Sequence, residues 1–337
     1  MTERKWSVRE YRAEDLDAVR ELFTVVFHKS RPREHFSWKF HDNPAGKGII
    51  VVAEDRAKIV GQYALMPTRL RLGSEVVLGA QSLDTMTHPD YRNQGMFVAL
   101  AKECMARAAA LGVDALYGFP NESSYHGFVG RLNWDHTGDI PRLIRFLNLN
   151  STEVAPLTRH LLSVGLPLWP MGKEAPSGFE VRMEKPSENE WTSVADSGAD
   201  TTCRVERSLD WFRWRFDAAS QREYVWFSAY SSGKLRAYAV YGMNNWGERP
   251  ILDVVGTDGA ALEAVASAAT RHAKRQGIGS LIAFSNDAGV CRALKSCGYL
   301  QRRSIPLITR SMTPRTLGGN IHDHGSWRIY SEDVDGF

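Results

Sequence analysis

The chain has 337 residues, long enough for two domains, and its 43% hydrophobic and 24% charged residues are ordinary for a globular protein. A net charge of +3 without a concentrated basic face argues against a nucleic-acid partner, and no apolar run approaches the ~20 residues of a membrane span. The four cysteines lack the spacing of metal ligands, and no signal peptide precedes the first predicted strand. We therefore expect a cytoplasmic protein without a bound metal.

The predicted elements of the N-terminal part alternate between strands and amphipathic helices. A strand over 8–11 leads into a helix whose apolar residues share one face, namely Leu16, Val19, Phe23 and Val26. Further strands are predicted at 48–53, 58–71, 76–87 and 115–119. A long helix lies between the last two, because apolar residues recur at helical spacing from Leu100 to Leu111 and Gly112 ends the pattern.

The loop between the strand that ends at Thr87 and this long helix carries the strongest functional signal. Backbone N–H groups at a helix N-terminus lack partners within the helix, and the helix dipole favours an anion there. Gly95 has no side chain to keep a phosphate away, and Arg92 adds a permanent positive charge. The sequence therefore predicts a pyrophosphate-binding loop.

This loop, which reads R-N-Q-G-M-F from Arg92 to Phe97, resembles the R/Q-x-x-G-x-G/A loop of the GNAT superfamily of acetyl-CoA-dependent N-acyltransferases. The resemblance implies an α/β fold, a mixed sheet with flanking helices, and acetyl-CoA as the acyl donor. The loop departs from the pattern at Phe97, where the family has a small residue, so Phe97 is expected to reshape the site. The implied cofactor-binding residues are Thr85, Met86, Thr87, Arg92, Asn93, Gln94, Gly95, Met96, Phe97 and Asn121.

The segment after the next strand extends the resemblance. In GNAT proteins this strand ends in an Asn close to the CoA arm, and Asn121 stands at that place. Asn121 is equally suited to cap the helix that follows, and the two roles are compatible. A Gly-aromatic pair usually opens the next strand; here it is Asn133-Trp134, and Asn can adopt the left-handed backbone that such a turn needs.

An internal repeat predicts a second copy of this fold. The motif H-F-S-W-K-F at Phe36 is echoed by W-F-R-W-R-F at Phe212, an offset of 176 residues. Farther on the offset is 165, as from Gly112 to Gly277, so the second copy is 11 residues shorter where the first has its phosphate-binding loop. The second copy has Asp258 there and no arginine. A carboxylate repels a pyrophosphate, so this copy is not expected to hold CoA.

The expected organisation has three parts: a catalytic GNAT domain over residues 1–150, a helical and Pro/Gly-rich linker over 151–178, and a degenerate GNAT-like domain over 179–337. An amphipathic helix is predicted within the linker at 157–164. The acidic tail that contains Glu332, Asp333 and Asp335 is expected to be solvated.

The implied reaction is attack of a neutral amine on a thioester, which needs an oxyanion site and a proton for the departing thiolate. The resemblance implies that backbone amides at Met86 or Thr87 hold the oxyanion. The family's general acid is a Tyr on the helix after Asn121, but Phe128 or Val129 occupies that place. Tyr125, one turn nearer the N-terminus, could substitute or could simply pack.

Two residues are candidates for the general base. Strand alternation places Asp84 on the same face as Ser82 and Met86, where it either lines the cofactor cleft or accepts structural hydrogen bonds. His126 has a suitable unperturbed pKa, near ~6.5, but a surface helix histidine is often incidental. Many enzymes of the superfamily use water relays instead of one base.

The paired aromatics of the repeat, Trp38/Phe40 and Trp214/Phe216, are interpreted mainly as core, with stacking on a sugar ring as the alternative. The combined motifs of the chain resemble bacterial GNAT proteins that accompany cell-surface polysaccharide synthesis, which implies a nucleotide-linked amino sugar as acceptor. Two other functions stay open. One is an aminoacyl-tRNA-dependent peptide-bridge transferase, whose members typically lack an intact phosphate loop. The other is a non-catalytic CoA-binding regulatory module.

Overall fold

The computed structural model describes residues 5–148, 178–195, 203–218, 223–242, 249–314 and 317–334. We call residues 5–148 the first half and residues 178–334 the second half. The helix predicted at 157–164 and most of the predicted linker lie outside the described residues. Within the parts of the chain that are described, none of the helices has both the length and the apolar character to cross a bilayer.

The first half follows the predicted order of strands and helices, with bounds that agree to within about two residues. The segment that carries the motif H-F-S-W-K-F is helical. The elements are β1 (Ser7–Glu10), α1 (Leu16–Phe27), α2 (Arg33–Phe40), β2 (Ile49–Asp55), β3 (Lys58–Leu72), β4 (Glu75–Thr87), α3 (Met96–Ala110), β5 (Ala115–Gly118), α4 (Glu122–Leu132) and β6 (Asp135–Phe146).

The second half contains counterparts of many of these elements. Its helix α6 continues into a wider π-helical turn over Arg213–Asp217. The elements are β7 (Glu180–Arg182), α5 (Glu188–Ala195), β8 (Cys203–Val205), α6 (Leu209–Phe212), β9 (Val225–Ser231), β10 (Lys234–Tyr241), β11 (Ile251–Gly256), α7 (Gly259–Arg275), β12 (Ser280–Phe284), α8 (Ala288–Ser296) and β13 (Leu300–Ser311).

The internal repeat is visible in the structure at both offsets. Shifted by 176 residues, β2 coincides with β9. Opposite Ala53 and Glu54 the partner strand β3 carries one extra residue. At the matching place in the second copy, β10 carries one extra residue between Leu235 and Ala237. Shifted by 165 residues, β6 coincides with β13. A shared irregularity in strand register is a far more specific match than shared strand length, because bulges are local features that a fold retains.

The two halves exchange strands instead of packing as separate sheets. A nine-stranded sheet has the order β1-β2-β3-β4-β5-β13-β6-β12, with β8 beside β3, so β13 lies between β5 and β6. In the antiparallel pair β13–β6, Ile305 lies opposite Ile140, its own counterpart in the repeat. The halves are therefore related by an approximate two-fold axis through this strand pair. The second sheet, in the order β11-β10-β9-β7, belongs to the second half alone.

The strands of the first half separate two groups of helices. Tyr63 and Ala64 are neighbours on β3 and point to opposite faces, as strand alternation requires. Tyr63 packs with α3 and α4 in one apolar cluster, whereas Ala64 packs with α1 and α2 in another. We call these the α3 face and the α2 face of the sheet.

The strand exchange generates a prediction about folding. A fragment of residues 1–178 is expected not to fold alone, because β5 and β6 would lose the strand that pairs with both. Co-expression with a fragment of residues 179–337 should restore a soluble complex, and circular dichroism with thermal unfolding measures both outcomes. An isolated first fragment that unfolds cooperatively at the temperature of the full chain would contradict the exchange.

Candidate functional site

A fork between β4 and β5 is the central feature of the first half. The two strands pair in parallel from Gly79 opposite Ala115 to Ser82 opposite Gly118, and β4 then continues alone to Thr87. On its other edge β4 stays paired with β3, but one extra residue is inserted between Leu83 and Met86. Such a bulge bends a strand and redirects its side chains. The bulge thus separates β4 from β5 and opens a gap in the sheet.

Asp84 lies at the bulge with a left-handed backbone (φ +49°) and is held by two cations. Its carboxylate accepts hydrogen bonds from both terminal nitrogens of Arg31, at 2.6 and 2.8 Å, and lies 3.4 Å from Lys39 Nζ. Burial alone would raise the pKa of Asp84, but the charges of Arg31 and Lys39 outweigh burial and hold the pKa well below its ordinary value. A carboxylate of such low basicity suits a structural role better than that of a general base.

The expected orientation of Asp84 is wrong with respect to Ser82. Ser82 points to the α3 face, where its Oγ lies 2.9 Å from the hydroxyl oxygen of Tyr63. Asp84 instead shares the α2 face with Leu83 and Met86. Two-residue alternation fails here because the bulge inserts one residue and shifts every side chain beyond it to the other face.

The loop after β4 has the geometry of an anion-binding site. Arg92, Asn93, Gln94 and Gly95 are exposed, and α3 begins at Met96 directly after Gly95, whose φ of +75° is left-handed. A Cβ built on Gly95 meets no atom within 4 Å, so the space before the helix N-terminus is open. The first N–H groups of α3 have no partner within the helix. Open space, free helix amides and an adjacent guanidinium fit a pyrophosphate group.

The other residues expected to bind the cofactor lie around this loop and the fork. Met86 and Met96 are buried in the core, so only their backbones can face a ligand. Thr85 and Thr87 are half-buried beyond the fork, and the Thr85 hydroxyl is enclosed without a hydrogen-bond partner. The contacts of these residues with CoA stay predictions.

Phe97 is accommodated by a glycine on the neighbouring helix. Its ring packs against the ring of Phe128 at a centroid distance of 5.1 Å, and a Cβ on Gly127 of α4 would lie only 2.7 Å from it. The bulky residue at the family's small position is thus matched by a missing side chain on α4. The ring of Phe97 therefore packs toward α4.

Asn121 and Asn133 bound helix α4 as the sequence predicts. The Asn121 side chain accepts a hydrogen bond from the Ser124 N–H at 3.0 Å, so its capping role is confirmed. Asn133 ends the helix in the left-handed conformation, with φ +53°. A capping Asn121 leaves its amide nitrogen available for a ligand, and its role toward CoA stays a prediction.

The candidates for acid and base on α4 lie near one another at the surface. Tyr125 is half-buried, and its ring packs against His126 and against His136 at 5.7 Å in each case. His126 is exposed. Of the two residues expected at the family's tyrosine position, Phe128 is buried and Val129 is half-buried. His136 on β6 was not singled out in the sequence, because nothing local marks a strand residue that only the tertiary fold brings to α4.

The second half closes its equivalent helix terminus with a side chain. Asp258 caps α7, where its carboxylate accepts a hydrogen bond from the Ala261 N–H at 2.9 Å. The strand before it, β11, ends only two residues ahead of that cap, so no loop comparable to the one around Arg92 exists between Ile251–Gly256 and Gly259–Arg275. A negative group already occupies the position where a phosphate would bind.

A cavity of about 180 Å³ lies on the α2 face of the sheet, between the halves. Its floor includes Gln81 and Tyr117, which are paired across β4 and β5, and Leu83, just past the point where the strands separate. The cavity therefore reaches the fork from the side opposite the phosphate-binding loop. Its other walls come from α2, from α6 and its continuation, and from the C-terminal segment Glu332–Val334.

Trp38 and Trp214 join the halves beside this cavity. Their rings stack at 4.7 Å, and each indole N–H donates to the main-chain carbonyl of the other residue at 2.8 Å. The contact has the same two-fold symmetry as the strand exchange. Each tryptophan is only 8% exposed, which favours the core interpretation of the aromatic repeat over sugar stacking.

Two of the C-terminal acids, Glu332 and Asp333, are not solvated, which corrects the expectation for them; Asp335 lies outside the described residues. Glu332 and Asp333 are buried, with Glu332 paired to Arg215 and Asp333 paired to Arg207 at 3.0 Å. Their acidic run resembled an ordinary surface tail because the matching arginines lie more than 100 residues earlier in the chain.

Residues 7–137 match a family model described as the acetyltransferase (GNAT) domain. This stretch is therefore similar to GNAT domains. It includes the fork, the phosphate-binding loop and α4, and thus supports an acyltransferase that uses an acyl-CoA donor. A comparison with curated protein sequences gave no match.

Solved structures confirm the GNAT fold over most of the chain. A probable N-acyltransferase from Enterococcus faecalis matches with a TM-score of 0.65 at 14% identity, covering 91% of this chain and 73% of that one. A GCN5-related N-acetyltransferase from Anabaena variabilis gives 0.65 at 13% identity with the same coverage. A tandem GNAT protein from the clavulanic acid biosynthesis pathway gives 0.62 at 13% identity, with 92% and 100% covered.

The contact between Phe97 and Gly127 predicts a position-specific stability change. The G127A variant is expected to lose about 1–3 kcal/mol of stability, because the new methyl overpacks the ring that Phe128 and Tyr63 already confine. G130A is the matched control in the same helix, where a Cβ meets nothing within 4 Å, and it should gain about 0.5–1 kcal/mol. Denaturant unfolding measures both; equal effects would refute the packing argument.

The phosphate-binding loop predicts a selective loss of cofactor affinity. The G95E variant should weaken acetyl-CoA binding at least ~100-fold, because it adds bulk and negative charge before α3. G112E is the control at the other end of the helix, also at positive φ and in open space, and should leave the affinity unchanged. Calorimetry of the unaltered protein should give one site per chain. Retained affinity in G95E, or a second site, would show that the loop is misassigned.

Proposed function

We propose that the protein is an N-acyltransferase that transfers the acetyl group of acetyl-CoA to the primary amine of a small molecule, by direct attack in a ternary complex. The observation that carries the proposal is the continuity of one segment: the fork, the exposed loop and the uncapped start of α3 follow one another from Ser82 to Met96. A pyrophosphate at the loop places the pantetheine arm of the same molecule at the fork.

The fork supplies a donor for the oxyanion. The N–H of His88 donates to the Val60 carbonyl on β3 at 2.8 Å. Because successive N–H groups of a strand point to opposite edges, the N–H of Thr87 points away from β3, toward the edge that β5 has left. Of the two amides that the resemblance implied, we therefore favour Thr87 over Met86 as the group that stabilises the tetrahedral oxyanion.

The cavity on the α2 face is the proposed acceptor site. A thioester held in the fork is reached from the phosphate side by CoA and from the cavity side by the amine, so the two substrates need not compete for space. Pockets for drug-sized molecules measure about 300–1,000 Å³, and this cavity is smaller, at about 180 Å³. A single sugar ring suits this size. For a nucleotide-linked amino sugar, the acceptor class we propose, the nucleotide would remain at the cavity mouth.

Tyr125 is the proposed proton donor to the thiolate. It lies on α4, one turn before the buried Phe128, and is half-buried where the family's tyrosine position is filled by an apolar residue. His136 packs against it and can exchange protons with solvent because it is exposed. His126 is exposed on the same helix and is a weaker candidate for a catalytic role. We assign to Asp84 the structural role of stabilising the bulge.

The two halves have different tasks in this proposal. The catalytic domain over residues 1–150 binds acyl-CoA, whereas the degenerate domain over 179–337 completes the acceptor cavity and binds no cofactor. The Asp258 cap on α7 supports the second assignment. The intact loop at Arg92–Gly95 argues against a tRNA-dependent peptide-bridge transferase. A regulatory CoA-binding module remains the second candidate, because an apolar residue occupies the family's tyrosine position.

An assay of thiol release from acetyl-CoA distinguishes these candidate functions. Purified protein with acetyl-CoA is assayed against nucleotide-linked amino sugars, aminoglycosides, polyamines and amino acids, with the G95E variant as the control that should be inactive. Amine-dependent release of CoA, confirmed by mass spectrometry of the acetylated amine, is the expected result. CoA binding without release for every amine would favour the regulatory module, and release only with charged tRNA would identify the peptide-bridge transferase.

A further inference from the structure

A buried cluster of charged side chains in the second half contains one more carboxylate than it contains arginines. Arg207 lies between two acids, with its nitrogens 3.3 Å from Asp253 and 3.0 Å from Asp333. All three side chains are at most 3% exposed. The adjacent Arg215 is already paired with Glu332, so among the described residues this cluster carries a net charge of minus one.

Of the two acids paired with Arg207, Asp333 is the one that lines the acceptor cavity. Its main-chain carbonyl accepts a hydrogen bond from the Gln81 side chain at 3.0 Å, which fixes the C-terminal segment to β4 beside the fork. Its carboxylate accepts a second bond from the Tyr330 N–H at 3.0 Å. Asp253 is fully buried behind it and bonded by the hydroxyl of Tyr238 at 2.9 Å. Asp333, unlike Asp253, lines the cavity.

The opposite wall of the cavity carries a cation. Arg31 and Lys39 both pair with the carboxylate of Asp84 at the fork, and Lys39 lines the cavity. An ammonium ion inside the cavity would therefore lie between the cationic side chain of Lys39 on the fork side and the acidic C-terminal segment. Such a field draws a proton from the nitrogen toward Asp333.

We propose that the cavity takes the acceptor as an ammonium ion and that Asp333 receives its proton before the amine attacks the thioester. The inference rests on the proposed function and assigns to that reaction a base that the first half lacks. One N–H bond breaks and one O–H bond forms on Asp333. The neutral amine then forms the C–N bond to give the tetrahedral oxyanion, and its collapse breaks the C–S bond. Tyr125 protonates the departing thiolate and takes up the second proton of the amine nitrogen, and Asp333 returns its proton to solvent.

The environment of Asp333 supports a working range near neutrality. Burial raises the pKa of Asp333 to about 6; the charge of Arg207 opposes this rise and that of Asp253 adds to it. Burial also raises the pKa of Asp253. A base with a pKa close to the working pH is efficient in proton transfer. The charged and titratable groups that face this pair are Arg207, Arg215, Glu332, Tyr238 and Tyr330.

The pH dependence of the reaction tests the proposal, with glucosamine, spermidine and lysine as amine probes in addition to the wider screen. The unaltered enzyme should lose kcat/KM for the amine as the pH falls through about 6. D333N should lower kcat/KM at pH 8 about 100-fold or more and abolish this limb, with an unchanged affinity for acetyl-CoA. D253N removes the neighbouring negative charge and leaves Asp333 paired with Arg207. The fall in kcat/KM should therefore occur at a lower pH, while turnover at pH 8 persists.

A second measurement, the pH dependence of Tm, detects structural effects of these variants. Because the folded pKa of Asp333 lies above its unfolded value of ~3.9, the folded state binds the extra proton between about pH 4 and 6, and stability falls as the pH rises through this range. D333N should flatten this part of the Tm-against-pH curve. If D333N fails to fold, D253N decides, since an unmoved limb in D253N would overturn the proposal.

Two further outcomes distinguish the role of Asp333 from the acyltransferase function as a whole. An active D333N with the same pH limb as the unaltered enzyme would refute the role of Asp333 and leave the acyltransferase intact. Absence of thiol release by the unaltered enzyme with every amine would refute the proposed function and this inference with it.

Discussion

The bulge at Asp84 is the constraint on which both sides of the site depend. Strand β4 must remain paired with β3 to Thr87 and yet leave β5 after Ser82, and the inserted residue makes the two compatible. The strained backbone is held by buried ion pairs from Asp84 to Arg31 and Lys39, and removing one partner of such a pair costs about 3–5 kcal/mol. The fork is therefore set by the fold and is present before any ligand binds.

Helix α2 connects this fork to the second half through two consecutive residues. Lys39 holds Asp84, while Trp38 stacks on Trp214 and exchanges hydrogen bonds with it. The repeat places Arg215 after Trp214, and Arg215 in turn binds Glu332 of the C-terminal segment. Each copy of the motif thus uses its tryptophan to contact the other copy and its cation to hold a buried acid. The recurrence of the motif reflects this symmetric contact.

Features that depend on local backbone preference were predictable, and features that depend on distant partners were not. The left-handed Asn133, the cap at Asn121 and the glycine before α3 follow from nearby residues alone. The offset of 176 residues found in the sequence also carries β2 onto β9. The orientation of Asp84 was missed because a bulge shifts the strand period, and the burial of Asp333 because its partner Arg207 is 126 residues away. The strand exchange leaves no local signal at all.

The two copies of the cofactor helix show what the binding site requires of the fold. Helix α7 ends its N-terminus with the Asp258 carboxylate, and a cap of this kind stabilises a helix by about 0.5–2 kcal/mol. Helix α3 begins at Gly95 without any side-chain cap and leaves its amides exposed. The first copy therefore forgoes a stabilising contact that the second makes, as expected of the proposed phosphate site. Because β13 completes the sheet of the first copy, the second copy can lose its binding loop but not its fold.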